Sequence, residues 1–161
     1  MAYRKILEIG DDKLRRTAKP VTKFDSRLRT LLNDMAETMY KVEGAGLAAP
    51  QVGILRRALV FDMGDGLVEM VNPEIITSEG EECTQEACLS IPNRKAMVTR
   101  PYTVTVHAQN STGETVEVTG EGITARVICH EIDHLNGILF IDKMDREIFC
   151  DEDTEAEEGT H

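Results

Sequence analysis

The sequence predicts an α+β fold in which mixed or antiparallel β-sheets pack around a central helix carrying an H-E-x-x-H motif, with an amphipathic helix nearer the N-terminus. Three observations predict it. Short strand-like runs dominate the middle of the chain, two helical patterns bracket them, and residues 102–109 alternate with period two.

Taken in order, Asp11 or Asp12 is placed to cap a short helical turn through Leu14 and Arg15, stopped before Pro20. Asp25 or Ser26 opens the first long helix, where Leu28, Leu31, Leu32, Met35 and Met39 recur at steps of three and four. That stripe is expected to pack on a sheet. Gly44 and Gly46 end the helical pattern and begin a loop containing Pro50. Residues 57–62 read as a buried strand, 63–66 as a turn, and 67–71 and 74–78 as two short strands separated by Asn72-Pro73. Within 102–109, Val104, Val106 and Ala108 face one way, Thr103, Thr105 and His107 the other. A turn at 111–113 then returns the chain as a hairpin partner over 114–119. Thr124 is placed to cap a helix over about 125–136, with Gly137 ending it in the left-handed conformation.

At 161 residues, 41% hydrophobic and 29% charged, the chain has the composition of one globular domain and not of a disordered one. No apolar run approaches the roughly 20 residues a bilayer crossing needs, and residues 1–7 lack the apolar core of a signal peptide, so neither membrane nor export is expected. The net charge of −11 argues against sequence-independent nucleic-acid binding, because polyphosphate would be repelled. Residues 145–161 hold eight acids and one base, −7, which leaves −4 for residues 1–144. A catalytic domain over 1–144 and a solvated, disordered acidic tail over 145–161 are expected. Cys83, Cys88, Cys129 and Cys150, without an export signal, point to a reducing compartment and to free thiols or metal ligands.

The chemistry concentrates in His130-Glu131-Ile132-Asp133-His134. On a helix the two histidines lie about 40° apart on one face, one turn of rise separating them, so both imidazoles can reach one metal. Glu131 sits beside it at a radius suited to a metal-bound water. A metzincin would need histidine where Phe140 stands, so that reading fails. A thermolysin-like site would need a glutamate on a following helix, whereas the later acids lie mostly in the tail. The strong donor that remains is an upstream cysteine.

Gly44-Ala45-Gly46-Leu47-Ala48-Ala49-Pro50-Gln51 resembles the G-x-G-L-A-A-P-Q motif of peptide deformylases. Glu86-Ala87-Cys88-Leu89-Ser90 resembles their E-G-C-L-S motif, and residues 130–134 match their H-E-x-D-H. Order and spacing agree over about residues 5–143. The resemblance implies Cys88, His130 and His134 as metal ligands with water in the fourth position, as in other catalytic sites with three protein ligands. It implies removal of the N-formyl group from the initiator formyl-methionine of nascent chains, releasing formate. The nucleophile would be a metal-bound hydroxide, with Glu131 as general base and acid. The Gln51 amide and the Leu89 backbone N–H would stabilise the oxyanion, and Gly46 and Ala45 would offer backbone groups to an extended substrate. Asp133 would orient a histidine or a nearby base, and Glu86 would pair with Arg100, unless that couple is an ordinary surface ion pair.

Resemblance implies Fe2+ as the working metal, while Zn2+, Ni2+ and Co2+ also suit one thiolate and two imidazoles. Two positions depart from the pattern. Ala87 replaces glycine, which would cost about 1 kcal/mol or more if positive φ is required. Cys129 replaces glutamine and is expected to point into the core. The competing readings are a small H-E-x-x-H metallo-endopeptidase and a module whose metal only staples the fold. Expected partners are formylmethionyl nascent chains, met in a transient encounter with the ribosome, with no direct nucleic-acid or membrane binding. The chain is expected to be a monomer in a bacterial cytoplasm.

Overall fold

The computed structural model describes residues 3–148. Strands β1 (Gly46–Ala48), β2 (Ala58–Phe61) and β3 (Val68–Glu79) begin a five-stranded sheet, and β6 (Thr103–Gln109) and β7 (Thr115–Glu121) complete it in that order. A second sheet is formed by β4 (Glu82–Cys88), β5 (Ile91–Arg100) and β8 (Met144–Ile148). All the ladders are antiparallel. The helices are α1 (Ser26–Lys41) and α2 (Ile123–Leu135). Neither is long and apolar enough to cross a membrane.

Asp25 caps α1 by accepting from the N–H groups of Arg27 and Leu28. The stripe of Leu28, Leu31, Leu32, Met35 and Met39 packs on Leu47, Ala58, Val60 and Val71. On the opposite face of the five-stranded sheet, Ala125, Ile128, Cys129, Ile132 and Leu135 of α2 meet Leu59, Phe61, Met70, Val104 and Val106. Successive residues of β2 therefore face different helices, which is why that strand is apolar throughout. The second sheet contributes Ile91, Ala96 and Val98 to a third cluster with Leu14, Leu139 and Phe140. Each fully buried large side chain in these clusters contributes roughly 1.5–3 kcal/mol of transfer free energy.

Several elements differ from those the sequence predicts. The two strands expected at 67–71 and 74–78 are one strand, β3, with its register shifted between Val71 and Glu74. Asn72 carries the irregularity at φ 51, and its amide exchanges two hydrogen bonds with the backbone of Val21. Pro73, with no N–H to pair, is accommodated there. The expected loop at 44–50 holds β1 and a 3-10 turn over Ala49–Val52, and the left-handed residue after α1 is Glu43 rather than a glycine. Thr124 lies inside α2; Gly122, at φ 59, stands at the cap. The β4–β5 hairpin is not visible in the sequence pattern, because charged residues such as Glu86 and Arg100 occupy its inner face and interrupt the apolar alternation. The tail boundary at 145 also moves. Met144–Ile148 is a strand paired with β5, and Glu147 bonds Arg94, so residues 145–148 belong to the folded body. The remainder of the predicted tail, Cys150 included, lies outside the described residues.

Gly137 adopts φ 72 after α2, as expected, and a Cβ there would lie 2.5 Å from the Arg15 carbonyl oxygen. Gly64 has φ 105, but a methyl group added to it would meet nothing within 4 Å. Gly64→Ala should therefore cost about 1 kcal/mol from backbone conformation alone. Gly137→Ala should cost at least about 2 kcal/mol, since a main-chain clash adds to the same conformational term. Urea denaturation of both variants measures the difference.

Candidate metal centre

The H-E-x-x-H motif lies on the most enclosed element of the fold. From Ile128 to Leu135 every residue of α2 is buried, because the helix has one sheet on each side. His130 and His134 share a face, with ring centroids 5.1 Å apart. Cys88 arrives from elsewhere. It ends β4 at the tip of a hairpin in which Glu82 pairs with Arg100 and Cys88 with Ile91, a bulge separating it from Ala87. Its Sγ lies 3.3 Å from His134 Nε2. The ligating atoms of Cys88, His130 and His134 all lie within 4.8 Å of one another, close to the span of one ion whose bonds are about 2.0–2.3 Å. Phe140, at the position a metzincin would give to histidine, stacks on His130 with centroids 6.2 Å apart.

The donor chemistry fits a thiophilic or borderline metal such as iron, zinc, nickel or cobalt. Three buried polar atoms around the site have no hydrogen-bond partner among the described residues: Glu131 Oε1, His134 Nδ1 and Arg126 Nε. A buried carboxylate oxygen left unpaired is costly unless the site supplies it with a partner in use. Burial lifts the Glu131 carboxyl to about 7. Burial, with the charge of His130 beside it, pushes His134 well below its usual range, favouring the neutral imidazole a metal requires. Burial alone would lower His130 too, but its bonds to Cys88 and Glu86 hold it well above the usual range.

Behind His130 stands a buried polar cluster. Glu86 Oε1 accepts from His130 Nδ1 at 2.9 Å and from Arg100 Nη2 at 2.9 Å. Glu86 Oε2 accepts from Arg100 Nε at 2.8 Å and from Arg126 Nη1 at 2.5 Å. Burial would raise this carboxyl, but the bonds from Arg100 and His130 outweigh it and bring it to about 2. An ionised carboxylate only accepts, so Nδ1 of His130 donates to it and Nε2 is the nitrogen left to face a metal. Arg100 also donates to Asp133 Oδ2 at 2.6 Å, and Lys143 donates to Asp133 Oδ1 at 3.2 Å. The Glu86–Arg100 couple is thus an interior pair, 5% and 3% exposed, and the surface-pair alternative does not hold. Asp133 reaches the histidine only through Arg100 and Glu86.

The same cluster opens onto a cavity of about 370 Å³, lined by Ala45, Gly46, Gln51, Cys88, Leu89 and Glu131 among others. Gln51 is 1% exposed; its Oε1 accepts from the Ala48 N–H at 2.9 Å, while Nε2 faces Ser90 Oγ at 3.2 Å and Cys88 Sγ at 3.7 Å. It therefore caps its own turn and also presents an N–H to the thiolate side of the site. Gly46 is glycine because a Cβ would lie 3.0 Å from both Cγ and Oε2 of Glu131. Gly46 begins the edge strand of the five-stranded sheet and Ala45 precedes it, the Ala45 carbonyl already accepting from the Asp62 N–H at 2.9 Å. Ala87 does not have positive φ and its side chain is exposed, so the strain considered for alanine there is absent. Cys129 turns into the core beneath the five-stranded sheet, where burial raises its thiol. Sequence reasoning misses Arg126, Ser90 and Lys143. The one available signal is the placement of Arg126 four residues before His130, and so on the same helix face.

A family profile described as Polypeptide deformylase matches residues 3–148. The chain is 55% identical to the peptide deformylase of Acetivibrio thermocellus over 95% of its own length and 89% of that protein's. It is 52% identical to that of Alkaliphilus metalliredigens, over 91% and 100%. Among solved structures, the peptide deformylase of Thermotoga maritima superposes with a TM-score of 0.88 at 46% identity, covering 90% of this chain and 99% of that one. A Met-Ala-Ser-bound peptide deformylase of Acinetobacter baumannii superposes at 0.84 with 34% identity, covering 89% and 99%.

Removing one partner of the buried cluster should cost more than any surface pair. Arg100→Met leaves Glu86 and Asp133 short of donors and is expected to lower stability by about 3–5 kcal/mol. Arg16, whose guanidinium bonds the exposed Asp12 four residues away, should lose less than about 1 kcal/mol on the same substitution. Equilibrium urea unfolding distinguishes the two.

Proposed function

The chain belongs to the peptide deformylase family, and on that premise we propose that it hydrolyses the formyl amide of N-formylmethionyl nascent peptides through a site built from Cys88, His130, His134 and Glu131. The observation that carries the proposal is the convergence of one cysteine sulfur and two imidazoles beside a buried carboxylate whose Oε1 has no partner among the described residues, at the end of a cavity. We read residues up to Ile148 as the catalytic unit.

Cys88, His130 and His134 would hold the metal. When bound, it supplies Lewis acidity that lowers the pKa of a water towards neutrality. Glu131 then has one proton to move: it takes it from the attacking water and returns it to the amine as the formyl C–N bond breaks, leaving formate and a free N-terminus. Its deep burial raises its proton affinity towards that of the groups it exchanges with. As the formyl carbon becomes tetrahedral, negative charge gathers on its oxygen. The Gln51 Nε2 amide and the Leu89 N–H are the donors we assign to it, each worth about 3 kcal/mol where water is excluded. Gly46, at the start of an edge strand beside the cavity, and Ala45 just before it suit an extended peptide laid alongside. The bound Met-Ala-Ser of the Acinetobacter baumannii relative supports a methionine-led peptide as the occupant.

Fe2+ is the working metal in this proposal, with Zn2+, Ni2+ or Co2+ able to take the same donors. We place the enzyme as a monomer in the cytoplasm. Its meeting with the ribosome is transient, since the acidic composition after Asp142 is unsuited to tight binding of an RNA-rich particle.

The full chain should release formate from formyl-Met-Ala-Ser and leave formyl-free casein intact, whereas a metallo-endopeptidase would cut casein and release no formate. Glu131→Ala should reduce formate release by about 10²–10⁴-fold, the usual worth of a general base, while metal content measured on the same sample stays unchanged. Reconstitution with iron, nickel or cobalt should give faster turnover than zinc; equal rates for all four would refute the metal assignment.

A further inference from the structure

Arg126 is a cation in the first turns of α2, where the helix dipole disfavours positive charge. It is also 5% exposed, so its desolvation has to be offset by specific bonds. Those bonds run to three separate places. Nη1 donates to Glu86 Oε2 at 2.5 Å and to the Val98 carbonyl at 2.9 Å, and Nη2 donates to the Glu82 carbonyl at 2.6 Å. Glu82 lies on β4 and Val98 on β5, the two strands of the hairpin whose tip carries Cys88. Four residues further along α2, on the same face, is His130, bonded to the same Glu86 carboxylate.

One guanidinium therefore ties the helix that bears both imidazoles to the main chain of the hairpin that bears the thiol. Arg100 plays a different part, since its guanidinium bonds the carboxylates of Glu86 and Asp133. We infer that Arg126 is a positioning residue that sets the separation between the Cys88 sulfur and the two histidines, acting through the β4–β5 backbone and through Glu86. Loss of its side chain frees the hairpin to shift along α2 and leaves Glu86 Oε2 with one donor fewer. A lysine restores a single bond to Glu86 but cannot grip both carbonyls, because it lacks the planar fork. The inference rests on the ligand assignment proposed above, and the experiment separates the two.

The test uses cobalt(II) bound to the full chain, with the thiolate-to-cobalt absorption band as a report on the Cys88 bond and chelator competition as a report on affinity. Three variants are compared with the parent: Arg126→Met, Arg126→Lys, and Leu32→Ala, which loosens the α1 core away from the metal. Arg126→Met is expected to weaken cobalt binding about 10–100-fold, the range for residues that orient metal ligands, with a weakened thiolate band. Arg126→Lys should fall between it and the parent, and provides the reading if the methionine variant does not fold. Leu32→Ala should lower the urea midpoint and leave cobalt affinity and the band unchanged. The proposal is overturned if the Arg126 variants bind cobalt as tightly as the parent with an unaltered band, or if Leu32→Ala weakens binding equally. A parent that binds cobalt without any thiolate band would instead sink the ligand assignment itself, and this proposal with it.

Discussion

A single buried carboxylate, Glu86, is the constraint on which the arrangement of the site depends. Its two oxygens receive four donors: two from Arg100, one from Arg126 and one from His130. That fills the acceptor capacity of an ionised carboxylate. A charge in this position would be severely penalised in isolation, and replacing such clusters with apolar residues is often neutral for stability. Its use here is directional. The imidazole of His130 can occupy only the tautomer and tilt that leave Nε2 for the cavity, because every alternative breaks a bond inside a low-dielectric interior.

The wider fold supplies that interior. The central helix is packed against the five-stranded sheet on one side, and Arg100 and Arg126 join it to the second sheet on the other. One side is apolar and non-directional, giving most of the burial; the other is polar and directional, giving the geometry. Gly46 is where the two demands meet. The edge strand must come close enough to touch Glu131 without a side chain between them, which closes the carboxylate off from solvent while the cavity remains open along the strand.

The positions that depart from the family pattern are explained by the same division. Ala87 sits on the exposed side of β4 just before the bulge, where it lines the rim of the cavity without a strained backbone. Cys129 faces the apolar side of α2, where it behaves as a small hydrophobe with a raised thiol pKa rather than as a second thiolate for the metal. The short strand Met144–Ile148 shows how acidic residues can be recruited into a sheet: Glu147 is anchored by Arg94 and Asp145 by Thr99 and Cys83.

What the amino-acid sequence determined by itself was local. The two helices, the 103–121 hairpin, the spacing of His130 and His134 and the left-handed Gly137 follow from periodicity and backbone sterics within a few residues. Only the tertiary structure decided what comes together across long separations. The β4–β5 hairpin places Cys88 against the helix, Asn72 joins two expected strands into one by bonding Val21, and Arg126 reaches Glu82, Glu86 and Val98. These pairings join groups separated by 28 to 51 positions in the chain. Sequence periodicity reports which face of an element is apolar; it carries no record of which distant carboxylate or carbonyl a buried arginine will satisfy. That choice is made when burial removes water as the competing partner, and it exists only once the two sheets have closed on α2.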